Sequence, residues 1–95
     1  MKHAGSDALD SLEPLIVRLR AIPGLKEKSR GVFYLKSRAF LHFHEDPKGL
    51  FADLRTADGK DFERFKVDEP ESWDGFVETA RSHLQSSAHP PKAGR

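Results

Sequence analysis

The chain has 95 residues, 16 of them Lys or Arg and 15 Asp or Glu, for a net charge of +1. That length fits one domain, and the near-balanced charge lacks the basic excess of a dedicated nucleic-acid binder. With no cysteine in the chain, disulfides, thiolate metal sites and Cys nucleophiles are excluded.

Residues 1–9, MKHAGSDAL, are small, polar and aperiodic. They read as a disordered tail without the apolar run of a signal peptide. In DSLEPLIVRLRAIPG, Asp10 suits an N-cap and Glu13 the third helical position, a capping box. Pro14 then falls in the first turn, where little hydrogen bonding is lost. Leu12, Leu15, Ile16, Leu19 and Ile22 recur at three- and four-residue intervals and form one apolar stripe. Pro23-Gly24 stops this helix, and LKEKSR follows as a charged link.

From Gly31 the period becomes two. GVFYLK, AFLHFHE, LFADLR and FERFKV read as four strands. Asp46-Pro47-Lys48-Gly49 has strong turn chemistry, with Pro presetting φ and Gly free to take φ > 0, and Asp46 is expected to order the turn. Asp58-Gly59 centres the next turn. Asp68-Glu69-Pro70 opens a last helix, with Pro near its first position, and Trp73, Phe76, Val77, Ala80 and Leu84 form its apolar stripe. Residues 86–95, SSAHPPKAGR, read as a second disordered tail, which leaves residues 10–85 as the domain. The expected fold is α+β, in the order α-β-β-β-β-α: a two-layer sandwich with a four-stranded antiparallel meander and both helices on one face.

Strand side chains alternate between faces. One parity collects Phe33, Leu35, Ala39, Leu41, Phe43, Leu50, Ala52, Leu54, Phe65 and Val67, all apolar, and is assigned to the core. The other collects Val32, Tyr34, Phe40, His42, His44, Phe51, Asp53, Arg55, Phe62, Arg64 and Lys66. This assignment needs an odd loop at Lys36-Ser37-Arg38 and an even one at residues 46–49. A bulged loop at Pro47-Lys48-Gly49 would instead place the histidines over Leu50, Ala52 and Leu54.

The second face is the candidate site. Tyr34, Phe40, His42, His44, Phe51, Asp53, Arg55 and Arg64 offer stacking surfaces and anion-binding or metal-binding groups. His42 and His44 project the same way, with Cα atoms about 7 Å apart. Zinc takes three or four ligands. Asp53 is the best third donor, with Asp46 and His83 behind it, so the metal set is incomplete and zinc binding is expected to be weak or absent. No G-x-S-x-G elbow and no glycine-rich phosphate loop occurs, and Trp73 reads as a core anchor.

RAFLHFHEDPKGLFADLR resembles a segment of the bacterial luciferase-domain family, at Phe40, His42, His44, Gly49 and Leu50. AIPGLKEKSRGVFYLKSRAF is similar to the opening of the YjbR/MmcQ family, which has been considered for DNA binding. Both resemblances imply an α+β fold, and neither implies a function.

The expectation is a non-catalytic binding or interaction domain, cytoplasmic, without a cofactor, taking a small molecule or protein on the aromatic, His and Arg face. Three alternatives stand beside it: a metal-assisted enzyme at His42, His44 and Asp53; a nucleic-acid module using Arg38, Arg64 and Lys66; and a homodimer through the sheet.

Overall fold

A computed structural model describes residues 2–88. In chain order the elements are β1 (Lys2–His3), α1 (Ser6–Arg20), β2 (Leu25–Ser29), β3 (Val32–Leu35), β4 (Arg38–Asp46), β5 (Gly49–Arg55), β6 (Phe62–Lys66), a 3-10 turn (Pro70–Ser72) and α2 (Trp73–Ala88). This is an α+β domain. Its sheet is antiparallel, ordered β2-β3-β4-β5-β6, with β1 paired to β4.

The expected strand count of four is thus corrected twice. LKEKS forms an edge strand rather than a charged link. Leu25 and Glu27 are partly buried, while Lys26 and Lys28 face water, and edge lysines discourage pairing with another chain. Lys2–His3 forms the other additional strand, alongside the part of β4 that lies beyond β3: Lys2 faces Glu45 and His3 faces His44.

The apolar stripes meet as expected. Leu12, Leu15, Ile16 and Leu19 of α1 and Trp73, Phe76, Val77 and Ala80 of α2 join Phe33, Leu41, Phe43, Ala52, Leu54 and Val67 in one buried cluster. A large apolar side chain buried this way contributes about 1.5–3 kcal/mol. Trp73 is a core anchor, and its Nε1 donates to the Val67 carbonyl at 2.9 Å.

The start of α1 differs from the capping-box expectation. The helix begins at Ser6, so Asp10 and Glu13 lie inside it, and Pro14 is an interior residue. Lys2–His3 are therefore strand and residues 6–9 the start of a helix, rather than a tail. Two contacts explain the earlier start: Ala8 is buried and Leu9 packs against the core, and Glu45 Oε2 accepts the Gly5 N–H at 2.8 Å. At the other end α2 runs to Ala88, and the remainder of the expected tail, residues 89–95, lies outside the described residues.

The two hairpins decide the facing. At the β4–β5 turn Asp46 pairs with Gly49, the even loop expected. The Asp46 carboxylate accepts the Lys48 N–H at 2.7 Å. Gly49 takes φ 141°, and a Cβ there would meet the Asp68 carboxylate at 2.5 Å. That carboxylate accepts the Leu50 N–H at 3.0 Å, so glycine lets Asp68 hold the start of β5. The β3–β4 loop is not odd. It holds two residues, Lys36 and Ser37, and the parity is restored by a bulge: Phe33 faces Leu41, and Tyr34 faces Ala39. Phe40 is the extra residue. It is wholly buried in the core next to Leu41, which removes it from the candidate binding face, and Ala39 loses its expected core place.

Candidate metal centre

The even β4–β5 turn sets His42 opposite Asp53 and His44 opposite Phe51, on the parity that alternates with the core pairs Leu41–Leu54 and Phe43–Ala52. Asp53 is the buried charged residue here, 7% exposed. Arg64, its neighbour on β6, donates Nε and Nη2 to the two carboxylate oxygens at 2.7 and 2.9 Å. Those hydrogen bonds outweigh the effect of burial and hold the Asp53 carboxyl below its ordinary range.

His44 Nε2 is 3.1 Å from Asp53 Oδ2 and 2.8 Å from His42 Nδ1. The opposite nitrogen, His44 Nδ1, is buried without a partner among the described residues, so the tautomer of the ring is decided at Nε2. There the demands conflict. A neutral ring nitrogen carries one proton or one lone pair. A proton on Nε2 suits the carboxylate but removes the acceptor for His42. A lone pair accepts from His42 but faces the negative oxygen. At most one of the two contacts is a well-formed hydrogen bond. A cation at this junction would be met by lone pairs from all three groups.

Sequence reasoning missed the third imidazole. His3 stacks on His44 with ring centroids 4.9 Å apart and planes at 25°, and its centroid lies 5.8 Å from that of His42. One nitrogen from each of His3, His42 and His44 lies within 4.8 Å of the other two. Around zinc with Zn–N of about 2.0–2.1 Å, tetrahedral donors stand about 3.4 Å apart, so a spacing of up to 4.8 Å is wider than a bound ion would hold. His3 thus adds a third imidazole to the two that the sequence places on this face. The only local signal for His3 was its identity, because the contact that orders it comes from Glu45, 42 residues further along the chain by the numbering.

Burial is the main influence lowering the His42 pKa from its ordinary value, and the charge of His44 adds to it, while Asp53 pulls the other way. A low pKa keeps lone pairs available at neutral pH, which is what a metal ligand requires.

The remaining expected site residues serve local contacts. Lys28 lies over the Tyr34 ring at 5.5 Å and Lys66 over the Phe51 ring at 5.6 Å. Arg64 is held by Asp53, and Lys66 donates to the Lys48 carbonyl at 2.7 Å and lies 3.4 Å from Asp68. Two of the three cations of the nucleic-acid alternative are thus engaged with carboxylates. Arg55 donates to the Ala39 and Gly59 carbonyls and lies over Phe62 at 4.6 Å. His83 faces the Arg55 carbonyl at 2.9 Å, and Asp46 orders its turn, so neither weaker donor candidate joins the cluster. Val17 of α1 is the large apolar residue that stands well exposed among the described residues, while Tyr34, Phe51 and Phe62 on the sheet face are half-buried.

No protein-family model matches the chain, nor does any curated protein or solved structure. The two family resemblances therefore stay expectations, and the functional reading rests on the geometry. Among the described residues no helix is long and apolar enough to cross a membrane.

Proposed function

We propose that this chain is a non-catalytic binding domain whose ligand is a divalent first-row transition-metal ion, with His3, His42 and His44 as nitrogen donors and Asp53 as oxygen donor. The proposal takes the domain as a two-layer arrangement in which the helices cover one sheet face and leave the histidine face open. One observation carries it: three imidazole nitrogens within 4.8 Å of one another, beside a buried carboxylate. Imidazole suits zinc, copper and nickel, and without cysteine the site has no preference for soft, thiolate-seeking ions. Four protein donors fill a tetrahedral shell, whereas catalytic zinc keeps a position for water. That difference favours binding over the metal-assisted hydrolase alternative. Arg64 fixes the Asp53 carboxylate from outside the shell, the role that outer partners play in metal sites.

The test is a competition titration of zinc against a chromophoric chelator. The intact chain should take one equivalent, and His3→Ala should weaken it at least tenfold. Equal affinity of the chain and of His3→Ala would reject the site as drawn.

A further inference from the structure

A different group of charges lies at the β3–β4 hairpin. Arg38 Nη2 and Arg55 Nη1 both donate to the Gly59 carbonyl, each at 2.9 Å. Two guanidinium groups are therefore held side by side. Arg18, Arg20, Arg30 and Arg64 each pair with a carboxylate, but Arg38, Arg55 and the exposed Arg81 of α2 have none among the described residues. The Gly59 oxygen has two lone pairs and both are used. Arg55 also gives Nε to the Ala39 carbonyl at 2.7 Å, yet its Nη2 and the Nε and Nη1 of Arg38 find no acceptor among the described residues. Burial first, and then the charge of Arg38, hold the Arg55 pKa below its ordinary value. Arg55 is thus a cation placed under a cost that no acidic neighbour offsets.

Both arginines line a cavity of about 150 Å³ together with Leu35, Lys36, Ser37 and Ala39, with the wholly buried Phe40 behind them. Its charged lining is wholly basic. We propose that this cavity binds a phosphate-sized oxyanion, carried by a small phosphate monoester. Guanidinium groups meet tetrahedral oxyanions with paired N–H donors in a fixed fork, Lys36 adds a point charge, and Leu35 and Ala39 offer the ester side an apolar wall. The site is independent of the metal reading. Phe62 separates the two, with its ring 4.6 Å from Arg55 and 5.2 Å from the His42 ring. A small molecule anchored at the arginines lies one phenyl ring away from the histidine cluster.

The experiment is a titration of the isotopically labelled chain with inorganic phosphate, then with phenyl phosphate, at constant ionic strength and with a chelator present so that no metal-bound phosphate contributes. Saturable shifts are expected at the amides of residues 36–39 and Gly59 and at the Arg55 side chain, with phenyl phosphate the tighter probe. Arg38 is exposed, so Arg38→Gln should leave the fold intact and weaken binding at least tenfold. Lys48→Gln, at the other hairpin, should change nothing. Non-saturating shifts spread over all basic residues, an unaltered affinity in Arg38→Gln, or tighter binding of a short oligonucleotide than of phenyl phosphate would each overturn the proposal.

Discussion

His3 and His44 sit opposite each other across β1 and β4, with their rings stacked 4.9 Å apart. Two residues of strand do not hold such a register alone. Two contacts fix it: the Ala4 N–H donates to the Phe43 carbonyl at 3.1 Å, and the Glu45 carboxylate accepts the Gly5 N–H at 2.8 Å and lies 3.6 Å from the Lys2 ammonium. Consecutive residues of β4 thus have linked duties, His44 in the cluster and Glu45 in seating the strand that brings His3.

Glu45→Ala should therefore act on the cluster without touching it. We expect a stability loss of about 1.5–3 kcal/mol, the usual size for a hydrogen bond to a charged group. We also expect about a tenfold loss in zinc affinity, as for the removal of an outer partner of a metal site. Denaturant melts and the chelator competition read the two effects. Unchanged zinc affinity would mean that His3 is seated by something else.

The bulge at Phe40 makes a claim that plain alternation does not. Phe40→Ala should cost about 3–5 kcal/mol and Leu41→Ala about 2–5 kcal/mol, since adjacent residues both fill the core. Phe51→Ala, on the histidine face, should cost well under that. Equal costs for Phe40→Ala and Phe51→Ala in chemical denaturation would restore strict alternation along β4.

Pro14 lies inside α1 and cannot donate to the Asp10 carbonyl. Pro14→Ala should stabilise the domain by about 1–3 kcal/mol, because an interior proline is the costliest residue a helix can carry. A helix beginning at Asp10 would place Pro14 in its first turn, where the same change does little. Thermal and urea melts separate these outcomes.

Much of the fold was legible because it is local or periodic. The stripes of α1 and α2 and the turn chemistry of Asp46, Pro47 and Gly49 carry their own signals, and the even turn put His42, His44 and Asp53 on one face. What was missed depends on distant partners. Lys2–His3 is strand only because Glu45 and β4 are there. Residues 25–29 are strand only because β3 offers an edge. A bulge breaks the very period used to read a strand, so Phe40 was assigned to the wrong side. Arg64 had the right face, yet its fork is taken by Asp53, which alternation alone does not reveal.

Glu27 accepts from Arg20 at 2.6 Å and from the Gly31 N–H at 2.9 Å. Burial acts to raise its pKa, but these two hydrogen bonds win and hold it below its model-peptide value of 4.5. A carboxylate depressed on folding contributes stability above its unfolded pKa and loses it as pH falls through the folded one. Glu27→Gln should therefore be less stable than the parent at pH 7 by about 1 kcal/mol. The gap should narrow as the pH falls through the lowered Glu27 pKa. Urea midpoints across pH 3–7 measure it, and a gap independent of pH would show that charge has no part in it.

The most direct measurement of the central claim follows the histidine ring signals while zinc is added at neutral pH. His3, His42 and His44 should shift together and saturate at one equivalent, with His83 unmoved. Both His3→Ala and Asp53→Asn should weaken that response. Saturation at His42 and His44 without His3, or no saturable response in any of the three rings, would contradict a metal centre built by β1 and β4.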